Sequence, residues 1–138
     1  MAEFALCLTH DVDRPYKTYQ SIYYALKERK PSHLASLRKE VNPYWQFESL
    51  MALEKELGVR SAFYFLSERS LFEYPLRERF RPRYWLEHLG RYDLETPDLV
   101  EIIEKLDAGG WEVGLHGSYS SYDDPERLRY EKSKIERV

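Results

Sequence analysis

The chain has 138 residues, 43% of them hydrophobic and 33% charged, with a formal net charge of −3 at neutral pH. This composition is typical of a soluble globular protein of one ordinary domain, and the acidic balance argues against general binding to nucleic acid or to anionic membranes. No apolar run approaches the roughly 20 residues of a membrane span. The first residues lack the basic and long apolar segments of a signal peptide, and Cys7 is the only cysteine, so a cytoplasmic location is expected.

Hydrophobic periodicity, prolines and glycines predict an alternation of strands and helices. In chain order the predicted elements are a buried strand over 3–9, a helix over 16–30, a helix over 43–57, a buried strand over 59–66, a helix between 96 and 110, a strand over 111–117 and a helix from 123 onward. The apolar faces expected for three of these helices are Tyr19, Ile22, Tyr23 and Leu26; Leu99, Ile102, Ile103 and Leu106; and Leu128, Ile135 and Val138. Residues 71–95 mix basic and acidic side chains with two prolines, which favours a solvated loop over a nucleic-acid-binding patch.

This alternation predicts an α/β fold in which parallel strands are joined by right-handed crossovers, as an open sheet or a barrel. In such folds the carboxyl ends of the strands meet at one edge, where ligands bind. The polar residues that follow the three predicted strands are His10, Asp11, Asp13, Ser67, His116, Ser118 and Ser120. We therefore expect these side chains to lie along one edge of the sheet.

Two carboxylates and two imidazoles at one edge are ligands that a divalent metal ion accepts, and zinc is the expected ion. Asp11 and Asp13 are two residues apart, so in a strand they share a face. One of them can bind the metal while the other accepts a proton from a metal-activated water. The alternative is structural, since aspartates at strand ends are common turn formers and a single histidine there often makes only a hydrogen bond.

Three segments resemble the polysaccharide deacetylase family (NodB homology, carbohydrate esterase family 4): "CLTHDVD", "VRSAFYFL" and "LDAGGWEVGLHGSYSSYDDPERL". The resemblance implies a distorted (β/α) barrel and the hydrolysis of an N- or O-acetyl group on a carbohydrate by metal-activated water. It implies that Asp11 is the catalytic base and that Asp13 and His116 bind the metal. Ser120 stands where the family has its second histidine ligand, and is expected as a weak or water-bridged ligand.

Other expectations follow from the same resemblance. Tyr119 and Tyr122 are candidates for stacking against a sugar, although packing within the protein is the commoner use of tyrosine. The three predicted strands match only the N-terminal part of the family's domain, so residues 1–138 are expected to form a single partial domain, an incomplete barrel. Self-association would cover its open sheet edge. Two alternatives remain open: a degenerate, non-catalytic relative that binds a glycan or a protein, and a metal-free structural fragment.

Overall fold

The computed structural model of the protein describes residues 5–119 and 121–138. The strands and α-helices in chain order are β1 (Thr9–Val12), α1 (Tyr19–Lys27), α2 (Phe47–Leu57), β2 (Ala62–Leu66), α3 (Pro82–Gly90), α4 (Pro97–Ala108), β3 (Glu112–His116) and α5 (Pro125–Ile135). Short 3₁₀ helices cover Pro31–Leu37, Lys39–Val41 and Leu71–Glu73. The predicted mixed α/β class is confirmed.

The three strands form one parallel sheet in the order β1-β2-β3. The register pairs Asp11 with Tyr64, and Tyr64 in turn with Gly114. Because all three strands run the same way, their carboxyl ends lie at one edge, as the alternation predicted. Over the described residues the sheet is open, so the barrel stays a prediction.

The described chain groups into two compact units, and the prediction of a single domain stays a prediction. The first unit holds residues 5–13, 47–67, 94–119 and 121–138, and therefore the whole sheet with α2, α4 and α5. The second unit holds residues 14–46 and 68–93, and therefore α1, α3 and the three 3₁₀ helices. Within these described ranges no helix is long and apolar enough to cross a membrane.

The core of the first unit is built on β2 and α4. Phe63 and Phe65 of β2 are fully buried, and Phe47 of α2 stacks on Phe65 with ring centroids 5.9 Å apart. The apolar face predicted for α4 is confirmed, since all four of its residues are buried: Leu99, Ile102, Ile103 and Leu106. A positive φ of 80° at Gly110 lets the chain turn from α4 towards β3, because glycine adopts this conformation without steric cost.

The position predicted for the first strand was wrong. The strand comprises Thr9–Val12, whereas most of the apolar run predicted over 3–9 precedes it, and residues 3 and 4 lie outside the described residues. Leu6 and Cys7 are exposed. Pairing with β2 sets the position, because Thr9 is the partner of Ala62, the first residue of β2. Asp11 consequently lies within the strand and Asp13 directly after it.

One predicted loop and two predicted helix faces also need correction. The region 71–95 is not one loop: a 3₁₀ helix covers Leu71–Glu73, and α3 starts at Pro82, whose fixed φ suits a first helical turn. The face predicted for α1 includes Ile22, Tyr23 and Leu26, yet all three are exposed. In α5 the buried residues are the charged Arg127 and Glu131, whereas Leu128 of the predicted apolar face is exposed.

Candidate functional site

Three of the predicted site residues meet at the carboxyl edge of the sheet. Asp11 lies in β1, Asp13 directly follows that strand, and His116 is the last residue of β3. The Nε2 atom of His116 lies 3.9 Å from Oδ2 of Asp11 and 4.0 Å from Oδ1 of Asp13. One imidazole nitrogen therefore faces both carboxylates across the intervening strand β2.

These three side chains are open to solvent. The side-chain exposures are 58% for Asp11, 60% for Asp13 and 36% for His116. The other ring nitrogen of His116, Nδ1, is buried and has no hydrogen-bond partner in the part of the chain that the structure describes. Packing around Nδ1 thus directs Nε2 towards the carboxylates, and the accessible side of the site is the side that carries negative charge.

The residue types at this site fit a divalent metal ion. Tetrahedral zinc bonds nitrogen and oxygen ligands at about 2.0–2.1 Å, which separates neighbouring donor atoms by roughly 3.3 Å. The 4.0 Å between Nε2 of His116 and Oδ1 of Asp13 is wider than that, so rotation of these exposed side chains would have to close the gap. Among residues 5–119 and 121–138 no group of three histidines, cysteines or acids is already arranged to hold a metal. Ser120, the third predicted ligand, lies outside the described residues.

The expectation that His10 joins the other residues at the carboxyl edge was wrong, because neighbouring residues of a strand point to opposite faces of the sheet. Its Nε2 donates a hydrogen bond of 2.7 Å to Oε1 of Glu54 in α2, and its ring packs against Phe63 with centroids 4.6 Å apart. His10 is therefore on the opposite face of the sheet from Asp11, so it is not a metal ligand in this arrangement.

Glu54 is a buried carboxylate that gathers donors from the segments around all three strands. Besides His10 of β1, it accepts from Ser61 just before β2 and from Trp111 just before β3. Burial alone would raise the pKa of Glu54, but the hydrogen bonds from His10, Trp111 and Ser61 outweigh it and hold the pKa below its ordinary value. Glu54 is thus a charged anchor that fastens α2 to the sheet.

A second buried carboxylate anchors the loop that follows His116. Glu131 of α5 accepts hydrogen bonds from the backbone N–H and the hydroxyl of Ser118, and from Nε of Arg127 at 3.0 Å. All three side chains are buried. Ser118 was predicted to lie at the edge of the sheet. Its hydrogen bonds to Glu131 hold the loop after β3 in place. Sequence reasoning missed this pair, although the spacing of four residues between Arg127 and Glu131 was a readable signal.

The remaining predicted residues contribute less to the described geometry. Ser67 directly follows β2 and is buried. Tyr119 and Tyr122, the candidates for sugar stacking, are 78% and 83% exposed. Both side chains are therefore accessible to a ligand.

Comparisons with protein-family models, with curated proteins and with solved structures found no match. The assignment to the polysaccharide deacetylase family therefore stays a prediction that rests on the motifs of the sequence.

Proposed function

We propose that this chain is a metal-dependent, deacetylase-like hydrolase of the polysaccharide deacetylase type, acting on an N- or O-acetylated carbohydrate. The observation that supports it best is the position of His116, whose Nε2 lies within 4.0 Å of carboxylate oxygens of both Asp11 and Asp13. The resemblance assigns the role of base to Asp11 and the role of metal ligand to Asp13 and His116. They come from strands separated by more than 100 positions in the sequence, so the fold is needed to bring them together.

In the proposed mechanism Asp13 and His116 would hold a divalent metal, with zinc as the expected ion. When bound, such an ion would supply Lewis acidity that polarises the acetyl carbonyl and lowers the pKa of its bound water to about 7. Asp11 is then the general base, because its exposed carboxylate shares the site without being required as a ligand. It accepts the proton that the attacking water loses and keeps it within reach of the leaving group.

The open sheet is proposed to be part of a (β/α) barrel, with a second copy covering the exposed strand edge. A cytoplasmic location and the absence of nucleic-acid and membrane partners complete the proposal. Gel filtration tests the self-association, because the monomer has a mass of 16.6 kDa.

The second candidate is a degenerate relative that binds a glycan or a protein without catalysis. Two observations favour it. Ser120 replaces an imidazole ligand by a neutral hydroxyl, which is a much poorer zinc ligand. Moreover, the described residues do not present a ready group of three acidic, histidine or cysteine ligands.

Release of acetate from N-acetylated chito-oligosaccharides in the presence of zinc distinguishes the two candidates. We expect turnover by the unaltered protein and a loss of about 10²-fold or more in kcat for Asp11→Asn, since that change removes the base but not the shape of the side chain. Asp107→Asn, at an exposed position of α4, is the matched control and should retain full activity. Binding of the oligosaccharide without turnover would contradict the hydrolase and support the binding protein.

A further inference from the structure

Tyr64 occupies the centre of the face that carries the candidate site. It lies in the middle of β2, the central strand, and its Cα pairs with that of Asp11 on one side and that of Gly114 on the other. Neighbouring strands of a sheet are about 4.8 Å apart, so Tyr64 is a direct neighbour of Asp11. Its side chain is half-buried, unlike the fully buried Phe63 and Phe65 beside it.

Gly114 shows on which face the Tyr64 ring lies. A Cβ atom built on Gly114 would come within 2.5 Å of Cε1 and 2.6 Å of Cδ1 of Tyr64, so the ring fills the space that a side chain at position 114 would need. Gly114 and His116 are two residues apart in β3, and side chains with that spacing point to the same face of a strand. The Tyr64 ring therefore lies on the same face as His116 and Asp11.

The hydroxyl group of Tyr64 has no hydrogen-bond partner in the described ranges 5–119 and 121–138. A phenylalanine would fill the space over Gly114 equally well. Packing thus accounts for the ring but not for the hydroxyl group. The ring of Tyr64 shares the face of the sheet that carries Asp11 and His116, so a ligand bound at that face would lie against it.

We propose that Tyr64 is a substrate-contacting residue, whose ring forms the floor of the site and whose hydroxyl donates a hydrogen bond to the carbonyl oxygen of the substrate's acyl group. This inference rests on the proposed hydrolase function and deepens it by adding a residue outside the metal and base set. The hydrogen bond strengthens as negative charge develops on that oxygen, so it favours the transition state over the bound substrate.

The test compares Tyr64→Phe with the unaltered protein, using the N-acetylated chitotrisaccharide as the probe. The variant keeps the ring over Gly114 and removes only the hydroxyl, so its urea midpoint should not change. We expect kcat to fall about tenfold or more, and the dissociation constant measured by NMR in EDTA to rise about threefold. Tyr23→Phe is the matched control, because Tyr23 is exposed on α1 and should leave both values unchanged.

Each outcome bears on the proposal. Loss of turnover and of affinity in Tyr64→Phe alone supports it. Equal kcat and equal affinity in Tyr64→Phe and the unaltered protein overturn it, while leaving the hydrolase function intact. If the unaltered protein neither binds nor hydrolyses the trisaccharide, the hydrolase function fails, and the role of Tyr64 fails with it.

Discussion

Nε2 of His10 donates a hydrogen bond to Oε1 of Glu54 over 2.7 Å, and this contact joins strand β1 to helix α2. His10 and Asp11 are adjacent in the strand, so their side chains point to opposite faces of the sheet. The face that holds His10 is structural, and the face that holds Asp11 is open to a ligand. The hydrogen bond between His10 and Glu54 therefore also holds in place the strand backbone that carries Asp11.

Replacing Glu54 should cost much of the stability of the fold. Glu54→Ala leaves the buried N–H of Trp111 and the hydroxyl of Ser61 without their acceptor. We expect the free energy of unfolding to fall by about 3 kcal/mol, because unsatisfied buried donors carry their full desolvation cost. Urea unfolding measures it. Glu56→Ala, at an exposed position of the same helix, should change the value by less than about 0.5 kcal/mol.

The same carboxylate predicts how stability depends on pH. The pKa of Glu54 is lower in the folded protein than its ordinary value of 4.5, so its contribution is fully present above that value and is lost as the pH falls through the lower folded pKa. We expect the stability difference between the unaltered protein and Glu54→Gln to be constant between pH 6 and 7, about 1.5 to 2.5 units above 4.5, and to shrink at more acidic pH. Urea unfolding over this range checks it, and a difference that grows on acidification would show that the sign is wrong.

The buried pair in α5 should behave as a unit. Arg127→Met removes the guanidinium that lies 3.0 Å from the fully buried carboxylate of Glu131 and leaves that charge uncompensated. We expect a loss of about 3–5 kcal/mol in unfolding free energy. Arg129→Met, an exposed neighbour in the same helix, is the control and should be nearly neutral. An equally small effect of both changes would mean that Arg127 does not stabilise the buried carboxylate of Glu131.

Gly114 and Tyr64 should be coupled. Gly114→Ala brings a methyl group to within 2.5 Å of the Tyr64 ring, so we expect it to destabilise the protein by about 1–3 kcal/mol. In a Tyr64→Ala background the obstruction is gone, and the same glycine change should cost much less. A double-mutant cycle on urea unfolding measures this coupling. Additive effects would place the Tyr64 ring elsewhere than over Gly114.

The sequence was sufficient to predict an element where a single pattern of apolar spacing, proline and glycine covered the whole segment. Helix α4 was predicted closely, because its apolar residues repeat at helical spacing between a proline and two glycines. The helix predicted from position 123 onward is likewise found as α5, and Asp124 caps it by accepting the N–H groups of Glu126 and Arg127. The meeting of Asp11 with His116 followed from the alternation of strands and helices, which makes the carboxyl ends of parallel strands coincide.

Elements fixed by tertiary pairing were harder to predict. The apolar run before Thr9 was the better strand by composition, yet register with β2 places the strand later and leaves Leu6 exposed. The buried face of α5 is charged, so an apolar pattern could not identify it. The same applies to Glu54, which is indistinguishable by sequence from the exposed Glu56 two residues later, because only its donors from distant segments set it apart.

Zinc binding to protein purified without chelators is the decisive measurement for a metal site at Asp13 and His116. Isothermal titration of the metal-free chain with zinc should give one site per chain, weakened strongly in His116→Ala and in Asp13→Ala, because those changes remove the two ligands that the structure brings to within 4.0 Å of each other. His33→Ala, in the second unit, should bind as the unaltered protein does. If the unaltered chain takes up no zinc and its stability is the same with and without EDTA, the account of a metal site at Asp13 and His116 is contradicted.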